Sequence, residues 1–232
     1  MKQNNRNQNL KRLKRIKDYI YPSKIIMDIG CDHGYLIKLA FDDEKTKIIK
    51  AYAVDNKNGP LNQAKDNLKE YDNVIYLLQD GLSTFYDDVD CVVIAGMGGE
   101  LIIRILNDFF NKTTINHNLK FILEANKHSE KVREFMFNNG FVIDNESIIY
   151  EDNKYYEIDS FVKGNIKYYD YDIMFGPINL KERNKEFIDK WNNLLTKYKN
   201  IVQKIDDNND KSSDKSIIEK KLLIQKIEEV LK

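Results

Sequence analysis

Ile25-Ile26-Met27-Asp28-Ile29-Gly30-Cys31-Asp32-His33-Gly34-Tyr35-Leu36 decides the fold of this chain. Residues 25–29 are apolar apart from Asp28 and too few for a helix. Gly30 and Gly34 follow, and Leu36, Leu39 and Ala40 then recur at helical spacing. That order reads as a buried strand, a tight turn and a helix start. Glycine has no Cβ, so Gly30 and Gly34 suggest a turn where backbone comes close to a ligand. An ordinary glycine-bearing strand-to-helix turn is the plainer alternative.

Charge narrows the ligand. A phosphate site at a helix start presents bare amides, whereas here Asp28 closes the strand and Asp32 stands inside the loop. Carboxylates there repel a pyrophosphate and suit a cationic head, such as the ammonium and sulfonium of S-adenosylmethionine. The dinucleotide fingerprint G-x-G-x-x-G is missing too, because Asp32 stands where its second glycine belongs. That counts against a nicotinamide dehydrogenase.

Working outward, the pattern of strand, acid and helix repeats. Tyr52-Ala53-Val54-Asp55 ends in an acid about 20 residues past Gly34, the place where doubly wound folds put a ribose-binding carboxylate. Asn56 adjoins it. Pro60, Leu61, Ala64 and Leu68 mark the next helix, and Val74-Ile75-Tyr76-Leu77-Leu78-Gln79 makes a third strand running into Asp80-Gly81. Asp80 is a candidate acceptor for an exocyclic amine; a plain turn is the other reading. Cys91-Val92-Val93-Ile94-Ala95 is a fourth strand, continuously apolar as central parallel strands are. It opens into Gly96-Met97-Gly98-Gly99, at the sheet edge where such folds bind ligands. This turn reads as a floor where methyl donor and acceptor meet backbone, with Met97 as an apolar contact.

Phe121-Ile122-Leu123 is a fifth strand, with Glu124-Ala125-Asn126 after it. Residues 141–150 and 155–163 read as two last strands joined by a hairpin loop. The layout is α/β, a Rossmann-like sheet of seven strands over residues 1–165. Upstream, Leu10, Leu13, Ile16 and Ile20 form a helix stripe, with Lys11, Arg12, Lys14 and Arg15 on its other faces. These cations are either a solvated face or a contact for an anionic partner. Residues 1–9 are polar and expected to be loose. Residues 166–232 make a second domain, a helical hairpin: Phe187, Trp191, Leu194, Tyr198, Ile201 and Ile205 recur as in a coiled-coil seam. A polar turn over 206–213 and a stripe through Ile217, Ile224, Ile227 and Leu231 follow. Lys181, Arg183, Lys190, Lys197 and Lys204 are expected on the outer faces, solvated or serving as an arm for a large substrate.

Composition excludes several classes. Thirty-seven basic residues balance 37 acidic ones, which argues against a uniformly basic nucleic-acid binder. Cys31 and Cys91 show no metal-ligand spacing and read as small core residues of a reducing compartment. No metal is expected. No apolar run is long enough to span a bilayer, and no signal peptide opens the chain, so a cytoplasmic protein is expected. Of His33, His117 and His128 only His33 falls in the site, where a structural role is equally open.

Together these segments resemble the bacterial tRNA methyltransferases that act on N1 of adenine 22. The resemblance rests on Arg12-Leu13, residues 28–36, Gly59-Pro60, Asp80-Gly81-Leu82, residues 94–99 and Phe175-Gly176-Pro177. Glu124-Ala125-Asn126 departs from the Gln-Pro-Asn common in that family. The resemblance implies a class I fold with S-adenosylmethionine bound across the first three strand ends, by Asp28, Gly30, Asp32, His33, Gly34, Tyr35, Asp55, Asn56, Asp80, Gly81, Ala95, Gly96, Met97 and Gly98. It implies tRNA as partner, met by Lys11, Arg12, Arg15 and Asn126. Asp32, Gly96 and Met97 are the candidates nearest the chemistry. Methylation of another nucleic acid or a small molecule, and an inactive RNA- or nucleotide-binding module, remain alternatives. The sequence does not set the oligomeric state, and a monomer is the working expectation.

Overall fold

The computed structural model describes residues 10–113, 118–207 and 214–232. The chain runs α1 (Lys11–Ile20), β1 (Ile25–Ile29), α2 (Tyr35–Asp42), β2 (Lys50–Asp55), α3 (Asn58–Asn67), β3 (Val74–Leu78), β4 (Cys91–Met97), α4 (Gly99–Phe110), β5 (Lys120–Ala125) and α5 (Ser129–Asn138). It continues through β6 (Phe141–Glu151), β7 (Lys154–Lys163), α6 (Asp170–Phe175), α7 (Pro177–Glu182), α8 (Lys185–Asp207) and α9 (Asp214–Leu231). One seven-stranded sheet has the order β3-β2-β1-β4-β5-β7-β6. The first five strands are parallel, while β7 lies antiparallel to both β5 and β6. The β6–β7 turn places Asp152 and Asn153 both at positive φ, as a two-residue hairpin turn requires.

Alternation along the strands explains why the central ones are apolar throughout. Met27, Ile29, Val92 and Ile94 face a cluster with Ile102, Ile105 and Leu106 of α4 and Val132 and Met136 of α5. Ile26, Cys91 and Val93 point the other way, onto Ile16 and Ile20 of α1, Leu36 and Ile37 of α2, and Leu61 and Leu68 of α3. Helices thus cover both faces, and β1 and β4 are buried on both. The chain order reverses between β1 and β4, and that reversal opens a crevice at their carboxyl ends.

Two compact units emerge, Met1–Ile178 and Asn179–Lys232. The division falls later than the expected one at 165, because α6 is tied into the first unit. Arg133 of α5, fully buried, donates from Nε to the Ile173 carbonyl (2.7 Å) and from Nη2 to that of Met174 (2.9 Å). Its Nη1 meets Glu157 and Asp159 at 3.1 Å and Glu146 at 3.7 Å. In the second unit α8 and α9 pack together, with Lys199 and Glu228 paired across them at 2.5 Å. Lys190 is not on an outer face: it is buried, its ammonium 4.4 Å from the centre of the Trp191 ring. Residues 1–9, His117 and residues 208–213 of the expected polar turn lie outside the described residues. No helix among the described residues is long and apolar enough to cross a membrane.

Candidate active site

The turn after β1 is built as its sequence suggests. Gly30 (φ +75°) and Asp32 (φ +49°) are left-handed, and the N–H groups of Gly30 and Cys31 both donate to the Val54 carbonyl of β2. A Cβ on Gly30 would strike the methyl of Met97. Gly34 is also left-handed, yet its open side faces α3, where a Cβ would come within 2.7 Å of Leu68. Helix packing, rather than approach to a ligand, requires that glycine.

Two cavities meet over this turn. One, about 340 Å³, is lined by Gly30, Asp32, Asp55, Asn56, Asp80, Gly81 and Met97, with Lys57, Pro60, Leu101, Arg104 and Ile105. The other, about 370 Å³, is lined by Arg12, Leu13, Asp28, Gly30, Asp32, His33, Tyr35, Ala95, Gly96 and Met97, among others. Gly30, Asp32 and Met97 belong to both walls. Gly34 and Gly98 line neither; Gly98 caps α4, its carbonyl accepting from Leu101 and Ile102 N–H. Lys57, Leu101 and Arg104 escaped the sequence reading. The face of α4 carrying Leu101 and Ile105, one turn apart, was the signal available for Leu101 and for Arg104 beside Ile105; Lys57 had none.

The acids at the turn after β1 have no cationic partner among the described residues. Asp28 and Asp55 are buried, and no lysine or arginine pairs with Asp28, Asp32 or Asp55 among the described residues. Asp55 accepts the Lys57 backbone N–H (2.9 Å), and Asp32 stands 3.6 Å from His33 Nε2. Burial pushes the Asp28 carboxyl up to about 7, and the nearby Asp55 and Asp32 push the same way. Asp80, by contrast, is exposed and pairs weakly with Arg104 at 3.3 Å. Burial raises both cysteine thiols well above their ordinary range, which makes them inert packing groups.

On the opposite wall the structure revises two expectations. Arg12 does not stand free on the basic face of α1. Its Nη1 binds the fully buried Glu124 at 2.5 Å, its guanidinium lies 5.1 Å from the centre of the Tyr156 ring, and its N–H donates to Glu151 (2.8 Å). Lys11, Lys14 and Arg15 remain exposed. The backbone of Gly96 is also committed: its N–H donates to Glu124 Oε2 (2.8 Å), and its carbonyl accepts from Asn126 Nδ2 (2.6 Å). Of the turn expected to meet donor and acceptor with its backbone, the Gly96 N–H is therefore already engaged within the protein. Asn126 clamps the floor, its own N–H donating to the Met97 carbonyl (2.8 Å).

A crevice whose first turn gathers Asp28, Asp32 and Asp55 with no lysine or arginine paired to them among the described residues fits S-adenosylmethionine, whose ammonium and sulfonium are positive, better than a diphosphate-bearing cofactor. Comparison with known proteins agrees. Residues 10–158 match the family described as "Methyltransferase domain". The chain is 31% identical over 232 residues to the tRNA (adenine(22)-N(1))-methyltransferase of Bacillus subtilis, covering 94% of this chain and 95% of that one. It is similar to the Sp1610 protein of Streptococcus pneumoniae solved with S-adenosyl-L-methionine, at 32% identity, TM-score 0.81, and coverage of 96% and 99%. It is likewise similar to the TrmK protein of M. capricolum solved with S-adenosyl-homocysteine, at 26% identity, TM-score 0.80, and coverage of 95% and 98%. From its first described helix to its C-terminal hairpin, the chain belongs to the family of tRNA (adenine(22)-N(1))-methyltransferases, within the class I S-adenosylmethionine-dependent enzymes.

Proposed function

We propose that the protein transfers a methyl group from S-adenosylmethionine to N1 of adenine 22 in tRNA. The observation that carries this reading is likeness along almost the whole chain, second unit included, to an enzyme named for that reaction. The crevice supports it in detail. Asp55 at the end of β2 stands where ribose hydroxyls are bound in doubly wound folds. Asp80, beside Arg104, suits an exocyclic amine, and Asp28 and Asp32 suit the cationic head.

Bound there, S-adenosylmethionine supplies an electrophilic methyl group. N1 of neutral adenine has a free lone pair, so no side chain is needed as a base. As the N1–methyl bond forms, the methyl–sulfur bond breaks; its electron pair leaves with sulfur and the positive charge passes to the adenine ring. The protein's share is in-line placement and exclusion of water. N1 is hidden in a stacked or paired base, so the adenine must be extruded into the cavity beside Gly96 and Met97. His33 and Tyr35, ring centroids 5.6 Å apart on that cavity's wall, offer aromatic surface to it. Asp32, largely exposed at the same wall, favours the positive charge of the product. Lys11, Lys14 and Arg15 give α1 an exposed cationic face for the tRNA backbone.

The test is incubation of unmodified tRNA transcripts with the purified protein and methyl-labelled donor, followed by mapping of the modified base. Label at N1 of adenine 22, lost when that base is replaced by guanine, is the expected result. Label elsewhere, or none despite donor binding, would refute the reading.

A further inference from the structure

We infer that Glu124 is a positioning residue for the methyl acceptor, setting through one oxygen both the floor and the wall of the acceptor cavity. The inference rests on the function proposed above and concerns this chain's own side chains. The pairing of β4 with β5 is irregular between Ala95 and Met97, so Gly96 is an extra residue in the strand, at φ +77°. A bulged residue loses its place in the ladder. Glu124 Oε2 takes up the Gly96 N–H (2.8 Å), and Asn126 Nδ2 takes up its carbonyl (2.6 Å). The same Oε2 receives Arg12 Nη1 at 2.5 Å. A Cβ on Gly96 would lie only 3.7 Å from that Nη1, so the guanidinium and the bulge are neighbours on one cavity surface.

Stability alone is a poor reason for this arrangement. Glu124 is fully buried, and its second oxygen, Oε1, has no hydrogen-bond partner among the described residues. A buried carboxylate with an unsatisfied oxygen costs the fold more than an apolar side chain of similar size. What it secures is local: Arg12 is pinned between Glu124 and the Tyr156 ring, so it faces the cavity as a fixed wall instead of sweeping through it. Its charge is also matched by a carboxylate, which matters because the ring of the methylated base becomes positive beside it. Arg12 thereby serves the extruded nucleotide inside the cavity, while the exposed cations of α1 serve the RNA outside.

The test compares Glu124→Ala, Glu124→Gln, Arg12→Ala and the double alanine variant in the full-length protein. Readouts are kcat and KM with a tRNA transcript, donor affinity by calorimetry, and melting temperature. For Glu124→Ala we expect kcat to fall about 30-fold or more, with donor affinity and tRNA KM changing less than about threefold. Glu124→Gln, whose amide oxygen can accept both donors, should keep kcat within about fivefold of the parent. The double alanine variant should be no more than about threefold worse than the poorer single variant, since both act through one arrangement. The inference is overturned if the loss in Glu124→Ala appears equally in donor affinity and melting temperature, if glutamine fails as badly as alanine, or if the alanine variant is fully active. Wild-type protein that binds the donor but leaves adenine 22 unmethylated would instead sink the proposed function, and this inference with it.

Discussion

Two acidic clusters in the first unit make opposite use of the carboxylate group. Around Arg133, Glu146, Glu157 and Asp159 surround one fully buried guanidinium that also holds two carbonyls of α6. At the turn after β1, Asp28, Asp32 and Asp55 converge with no lysine or arginine paired to them among the described residues. The first cluster is internally compensated and joins elements; its arginine is pushed still further above its usual range by those carboxylates, which outweigh the opposing effect of burial. The second is left with surplus negative charge, held partly in check by the raised pKa of Asp28. Compensated acids build architecture, and uncompensated ones at a strand end wait for a cation from outside.

The largest effect that would sharpen this contrast is on the compensated side. Arg133→Met should cost about 3–5 kcal/mol of unfolding free energy by urea titration, since it strands three carboxylates in the interior; a change under about 1 kcal/mol would erase the distinction. Asp28→Asn should behave in the reverse sense. Donor affinity is expected to fall about 100-fold, about 2.7 kcal/mol, by calorimetry, while the melting temperature holds or rises because a strained buried charge is gone.

Acidity gives a third, smaller separation. The folded-state pKa of Asp28 lies above its ordinary value of 3.8, so its contribution to stability is fully present below pH 3.8 and lost as pH rises through about 7. Unliganded protein should therefore lose about 2 kcal/mol of this contribution between pH 5 and pH 7, and Asp28→Asn should flatten that slope in urea titrations. The smallest effect tests whether the clusters are independent of the RNA face. Lys11→Ala and Arg15→Ala should each weaken tRNA binding about threefold and reduce its salt dependence, leaving stability and donor affinity unchanged.

How far the sequence could carry this account depended on whether a feature was local. Strand, turn and helix around Gly30 were legible because alternation and glycine placement act within a dozen residues, and Asp28 and Asp55 stand at strand ends with Asp32 and Asp80 in the turns that follow β1 and β3. Seven strands and their hairpin could be counted for the same reason. Gly34 misled, because a glycine needed for packing against Leu68 looks like one needed by a ligand until α3 is in place. Arg12 was picked out with Leu13 by the resemblance, but as an RNA contact on a basic helix face; only the fold brings it to Glu124, from a different element far along the chain. Arg133 gave no signal at all, its partners lying on two later strands and a later helix. Lys190 read as exposed because a helical repeat does not reveal that Trp191 would shelter its neighbour.

The contrast turns finally on whether the acids beside Gly30 respond to a cation as a charged site must. Isothermal titration of S-adenosylmethionine between pH 6 and pH 8, in buffers of different ionisation enthalpy, measures affinity and proton exchange together. A proton released from Asp28 near pH 7, with affinity rising about tenfold across that range and the pH dependence lost in Asp28→Asn, is the predicted result. Affinity independent of pH, with no proton exchanged, would contradict it.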